Sequence, residues 1–116
     1  MKIIVAGSRQ LDSRLYQHRV PKLLWRIPPT ELVCGMAKGP DTWGYDYGKE
    51  NKIPVIEFPA RWDLFGKRAG FLRNQEMATY ADLLIAFWDG TSKGTKHMID
   101  CMSLGNKPFH VELCLP

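Results

Sequence analysis

The stretch Leu83-Leu84-Ile85-Ala86-Phe87-Trp88 carries no polar side chain and runs straight into Asp89-Gly90-Thr91-Ser92-Lys93-Gly94-Thr95. An apolar run of that length without alternation suits a strand buried on both faces, which is the condition of a parallel sheet. The glycine- and hydroxyl-rich segment after it reads as a turn opening a helix, expected over residues 94–104 and stopped by Gly105 and Pro108. The same alternation recurs on either side. Residues 2–6 form a short β-branched run, 32–34 (starting near Thr30) a second, 53–58 a third and 108–113 a fifth. Helical spacing fills the gaps at 12–26, 40–51 and 69–81. Pro21 is expected to kink or restart the first helix. Pro40 suits the first position of the second, where Asp41 complements the helix dipole. Repeated β-α-β units with right-handed crossovers give an α/β fold, a Rossmann-like, doubly wound and mainly parallel five-stranded sheet with helices on both faces.

A chain of 116 residues is one domain's worth, so residues 1–116 are expected to form a single unit. With 45% hydrophobic and 24% charged residues, disorder and fibrous repeats are excluded. No apolar run approaches the roughly 18 residues of a membrane span, and Ile3–Gly7 is too short for a signal-peptide core. A cytoplasmic location is the expectation, with no membrane partner. Cys34, Cys101 and Cys114 are odd in number and far apart, and His18, His97 and His110 add no ligand spacing. No disulfide framework or metal site is therefore expected, and Cys34 reads as a buried thiol. The net charge of +4 is uneven. Residues 1–40 hold seven cations against Asp12 and Glu31, a net +5. That bias suits phosphate-bearing ligands. Arg14, Arg19, Lys22 and Arg26 read more simply as a solvated helix face, because a dedicated nucleic-acid binder shows denser basic clusters.

In such folds ligands bind beyond the carboxyl ends of the strands, where the strand order reverses. The turns at that rim are Gly7-Ser8-Arg9, Gly35 through Gly39-Pro40-Asp41, Pro59-Ala60-Arg61-Trp62 and Asp89 through Thr95. In the last, Gly90 and Gly94 let backbone approach a ligand, Thr91, Ser92 and Thr95 supply hydroxyls, and Lys93 supplies a charge. This is chemistry for a phosphate or ribose phosphate, although neither the Walker pattern nor Gly-x-Gly-x-x-Gly is present. Arg9 can fork onto a phosphate; Asp41 can cap its own helix or accept ribose hydroxyls. Trp62 can stack on a base, whereas Trp88 reads as packing at the core edge. Trp43, Tyr45 and Tyr47 read as packing or subunit contacts. Arg73, with Asn74 beside it, is either a solvated arginine or one that points across the rim toward Gly94 and Thr95.

Taken in order, these turns resemble the SLOG superfamily, which contains the Lonely Guy phosphoribohydrolases and DprA-type proteins, and most closely its small YspA-like Rossmannoid branch. The residues that carry the resemblance are Gly7-Ser8-Arg9, Gly35 with Gly39-Pro40-Asp41, Pro59-Ala60-Arg61-Trp62, Ala69-Gly70, Arg73-Asn74 with Met77, Ala81-Asp82, and Asp89-Gly90 with Ser92-Lys93-Gly94-Thr95. The resemblance implies a domain that binds nucleotides or nucleotide-derived molecules such as ADP-ribose or a cyclic signal. It also implies a homo-oligomer, for which the aromatic second helix offers a surface, and a setting in phages or mobile elements. Two departures stand out at the second turn, where Met36 replaces a usual second glycine and Pro40 a small residue. The catalytic glutamate of Lonely Guy enzymes falls three residues after the threonine of their loop, and that position here is Met98.

The main expectation is thus a sensor or sequestering module without turnover. Its ligand is held by Gly7, Ser8, Arg9, Gly35, Gly39, Asp41, Trp62, Arg73, Asn74 and Asp89 through Thr95. No cofactor is expected and no catalytic residue is identified. The alternative is an N-glycosidase acting on nucleoside monophosphates, with Asp41 or Asp89 supplying the carboxylate such a reaction needs.

Overall fold

The computed structural model describes residues 1–115. It contains β1 (Lys2–Gly7), α1 (Ser13–Tyr16), α2 (Arg19–Arg26), β2 (Glu31–Cys34), α3 (Pro40–Glu50) and β3 (Val55–Glu57). There follow α4 (Trp62–Phe65), a 3₁₀ turn (Gly66–Arg68), α5 (Ala69–Tyr80), β4 (Leu83–Trp88), α6 (Lys93–Leu104) and β5 (Phe109–Leu113). The strands form one sheet of order β3-β2-β1-β4-β5 in which every pairing is parallel. The chain winds outward from β1 to β3, then returns to the far side of β1 to lay down β4 and β5. The order therefore reverses between β1 and β4, the position at which the loops after the two strands must part.

Alternate residues of the central strands feed two cores, as the period of a strand requires. Ile3, Val5, Leu32, Ile85 and Phe87 pack under Val20 and Leu24 of α2 and Trp43 of α3. Ile4, Val33, Leu84 and Ala86 pack under Met77 and Ala78 of α5 and Met98 and Met102 of α6. Trp43 stands edge-on to Phe87 with ring centroids 5.2 Å apart. It is spent on the core rather than left for a subunit contact, which removes the centre of the surface expected on that helix. Cys34 is buried as expected, and burial, reinforced by the charge of Asp41, pushes its thiol up to about 12.

Two local expectations need correcting. The first helix breaks at Gln17–His18, not at Pro21, which instead sits in the first turn of α2. Proline is tolerated there because the first turn's N–H groups have no intrahelical acceptor. The segment after β3 is not all loop, since Trp62–Phe65 forms a short helix. At the end of α5, Lys107 Nζ donates to the carbonyls of Ala78, Thr79 and Ala81 at 2.7–2.8 Å, neutralising the helix's negative end and fixing the lead-in to β5. Among the described residues no helix is long and apolar enough to cross a membrane.

Candidate functional site

A cleft of about 500 Å³ opens at the carboxyl rim between the loops that follow β1 and β4. Its β1 side begins at Gly7, where a Cβ would lie 2.2 Å from the Phe87 carbonyl oxygen and 2.8 Å from the Pro40 ring. Only glycine lets β1, β4 and α3 meet there. Ser8 is buried and ties the two loops together. Its N–H donates to the Phe87 carbonyl at 2.9 Å, its Oγ accepts the Asp89 N–H at 3.1 Å, and Oγ lies 3.4 Å from Thr95 Oγ1. Asp89 in turn accepts the N–H groups of Thr91 and Ser92 at 2.9 and 2.7 Å, which hold its carboxyl below the usual range. Through Oδ1 that carboxylate shapes the turn.

The turn delivers the N-terminus of α6 to the cleft. Ser92 occupies the cap position without making a side-chain cap bond, so the first-turn N–H groups keep their capacity for an external acceptor. Gly94 lines the cleft, and a Cβ built on it would meet nothing within 4 Å. No protein neighbour explains this glycine, in contrast to Gly7.

Opposite lie Asp41, Arg73 and Asn74. Asp41 is only 4% exposed and does not cap α3, whose cap position is Gly39. Its carboxylate turns into the cleft floor and accepts the Ala37 N–H at 3.3 Å. Burial raises its pKa to about 6, against the opposing pull of Arg73, the Ala37 and Gly7 N–H groups and Arg9. Arg73 donates through Nη1 to the Gly35 carbonyl and through Nε to Asn74 at 3.0 Å. A Cβ on Gly35 would lie 2.6 Å from that guanidinium, so Gly35 is the space in which Arg73 sits. Arg73 thus leans half-buried toward the second turn, which is neither the solvated arginine nor the reach to the α6 turn that the sequence left open. Asn74 makes that reach instead, with Nδ2 3.4 Å from the Gly94 carbonyl and 3.1 Å from His97 Nδ1.

Eleven of the sixteen expected residues line this cleft: Gly7, Ser8, Arg9, Asp41, Arg73 and Asn74, then Asp89, Thr91, Ser92, Gly94 and Thr95. Gly35 and Trp62 line a smaller hollow of about 150 Å³ beside it, which shares Arg9, Ala37 and Arg73 with the main cleft. Gly39, at φ 82, backs the main chain of Ser8 and Arg9 from beneath. Gly90 turns toward Leu113 and Leu115, and Lys93 is exposed outside the cleft. Ala6, Gln10, Ala37 and Met77 also line it. Ala37 lay within a turn already marked by glycines, whereas Ala6 and Met77 look in sequence like ordinary core residues.

Residues 1–65 match the YspA, cpYpsA-related SLOG family. Gene 61 protein of Mycobacterium phage D29 is 36% identical over 124 aligned positions, covering 92% of this chain and 98% of its own length. The chain belongs to the YspA, cpYpsA-related SLOG family. A phage relative fits the setting expected from the sequence. In this SLOG chain, Met36 adopts φ 63, a left-handed conformation that explains why glycine was expected there. Met98 is buried in the α5–α6 core, so the position of the Lonely Guy glutamate faces the sheet. Asp100, two residues on, pairs with Lys96 at 2.9 Å on the outer face of α6. Among the described residues no group of three His, Cys, Asp or Glu side chains could hold a metal.

Proposed function

We propose that this SLOG protein binds a nucleotide-derived ligand, of the ADP-ribose or cyclic-nucleotide kind, at the cleft between β1 and β4, and serves as a sensor or a sequestering protein. The observation that carries this reading is the α6 N-terminus. Its first-turn N–H groups lack a side-chain cap, and Gly94 leaves open the space a side chain would fill. An anionic group there gains the N–H donors and the helix dipole together. Arg9 adds a guanidinium for the phosphate, Asp41 an acceptor for ribose hydroxyls, and Trp62 a wall for the base.

A second reading, N-glycosidic hydrolysis of the Lonely Guy type, is favoured by one feature. Asp41 is a buried cleft carboxyl whose pKa of about 6 suits proton transfer near neutrality. Against it, the glutamate position is Met98, an apolar side chain inside the core. Incubation with a panel of nucleotides and ADP-ribose derivatives, followed by denaturation and mass spectrometry, separates the two. Recovery of an unchanged ligand that Arg9→Ala abolishes is the expected result. Release of free base or ribose 5-phosphate, lost in Asp41→Asn, would make this an enzyme. An outcome with neither a retained nucleotide nor a released base would sink both.

A further inference from the structure

The two edges of the sheet are built differently. β3 is three residues long and flanked by Pro54 and Pro59, a blunt edge of the kind that resists pairing. β5 is the other edge, with five residues, Phe109-His110-Val111-Glu112-Leu113, and no proline among them. The Pro108 carbonyl accepts the Leu84 N–H at 3.3 Å, and the Cys114 N–H donates to the Trp88 carbonyl at 2.7 Å. Alternate residues of a parallel strand bond to the same neighbour, so the even-numbered residues of β5 face β4. Phe109, Val111 and Leu113 therefore turn their N–H and C=O groups to the open edge.

That edge is self-complementary. Laid antiparallel against a second copy about a two-fold axis through Val111, Phe109 falls opposite Leu113, His110 opposite Glu112, and Val111 opposite itself. The three outward residues then fall at the hydrogen-bonded pairs, with two bonds at each. A two-fold axis one residue away keeps the bonding groups opposed but sets His110 against His110 or Glu112 against Glu112, and only an axis between two residues would turn those groups aside. Phe109 and Leu113 are exposed apolar side chains on one face of this edge. On the other face Trp25 of α2, 81% exposed, borders with Glu112 a hollow of about 580 Å³ that also carries Arg19, Lys22 and Arg26.

We propose that the β5 edge is a homodimer contact, in which two copies pair antiparallel about Val111 and extend the two sheets into one. A two-fold interface must match its own patch in this way, and matched cross-strand pairs of apolar and oppositely charged residues stabilise an antiparallel ladder. The inference does not rest on the cleft or on its ligand.

The test is the mass of the full chain in solution by sedimentation and light scattering. The expected result is a species of twice 13.3 kDa that dissociates on dilution. Val111→Pro removes an N–H that β4 does not use and should leave a folded 13.3 kDa monomer by circular dichroism. His110→Glu sets two carboxylates opposite one another and Glu112→Lys removes the carboxylate that faces His110, so each should abolish the dimer. Mixed together, these two chains should form a one-to-one heterodimer, and this keeps the test valid if the proline variant fails to fold. A wild-type monomer at millimolar concentration would overturn the proposal. So would a dimer that survives both charge variants, or a mixture that stays monomeric.

Discussion

The two halves of the rim, the cleft between β1 and β4 and the hollow beside it, are made to different standards. On the β1–β4 side, Ser8, Asp89, Ser92 and Thr95 are linked to one another by polar contacts of 2.7–3.4 Å. On the β2–β3 side, residues 61–68 are exposed throughout, although Trp62, Leu64 and Phe65 are among them. One side is a rigid seat and the other an open wall. Electrostatic seats for phosphate gain from fixed donors, since no reorganisation is then needed on binding. A flat aromatic wall needs only to be present, and loops carry such surfaces readily.

The sharpest way to break this comparison is to substitute the two glycines of the seat. Gly7→Ala forces a methyl to within 2.2 Å of a backbone oxygen and should destabilise the fold by about 3 kcal/mol or more, read from thermal or urea unfolding. Gly94→Ala meets nothing within 4 Å and should leave stability unchanged or raise it by up to about 1 kcal/mol. Its cost should fall on the ligand, with affinity for a phosphate-bearing nucleotide reduced at least tenfold by calorimetry. Equal loss of stability in both variants would mean that Gly94 serves the fold and not a ligand.

Asp41 lies between the halves, and its effect depends on pH. Its pKa rises from an ordinary 3.8 to about 6 on folding, so the folded state holds the proton more tightly. The contribution is fully present below the unfolded pKa and is lost as pH rises through the folded value. Stability should therefore fall by about 3 kcal/mol between roughly pH 4 and 7. Asp41→Asn should flatten that slope and be more stable than wild type at pH 7. A variant with an unchanged slope would place the titration elsewhere.

Much of this was legible in the sequence, for a physical reason in each case. The central strands were visible because a parallel strand buried on both faces must be apolar without interruption, as Leu83–Trp88 is. The edge strands β3 and β5, with no buried residue, showed only as short apolar-rich runs between turns. The rim was legible because glycine and hydroxyl side chains gather in the turns that follow the central strands. Side-chain direction was not. Arg73 and Asn74 are consecutive on α5 and point about 100° apart, so only coordinates show that asparagine reaches α6 while arginine turns back to Gly35. Asp41 followed Gly39-Pro40 in a cap-like pattern, yet the left-handed Gly39 takes the cap position and leaves the carboxylate to the cleft. The short helix α4 had no burial period to betray it, because no residue in it is buried.

On the open wall, Trp62→Ala should leave the fold within about 0.5 kcal/mol of wild type, since the ring is 51% exposed and its close neighbour is Gly70. It should lower affinity for base-containing ligands by about 1–2 kcal/mol, while ribose 5-phosphate binds as before. A loss shared by both ligand types would mean that the wall supports the seat and that the two halves are coupled.

The smallest effect sharpens the comparison from the side of strain. Met36 adopts φ 63 in the turn between the halves, a conformation that costs a residue with a Cβ roughly 1–2 kcal/mol relative to glycine. Its side chain is 40% exposed, so little packing offsets that cost. Met36→Gly relieves the strain but also frees the unfolded chain, and the net gain should be about 0.5–1 kcal/mol by urea unfolding. The Ala37 N–H that Asp41 accepts comes directly after this residue, so a turn relaxed by glycine also tests whether strain at Met36 positions the carboxylate. If ligand affinity is unchanged in the stabilised variant, the strain has no part in binding. If affinity falls while stability rises, the wall side is also preorganised, by backbone strain where the seat uses hydrogen bonds.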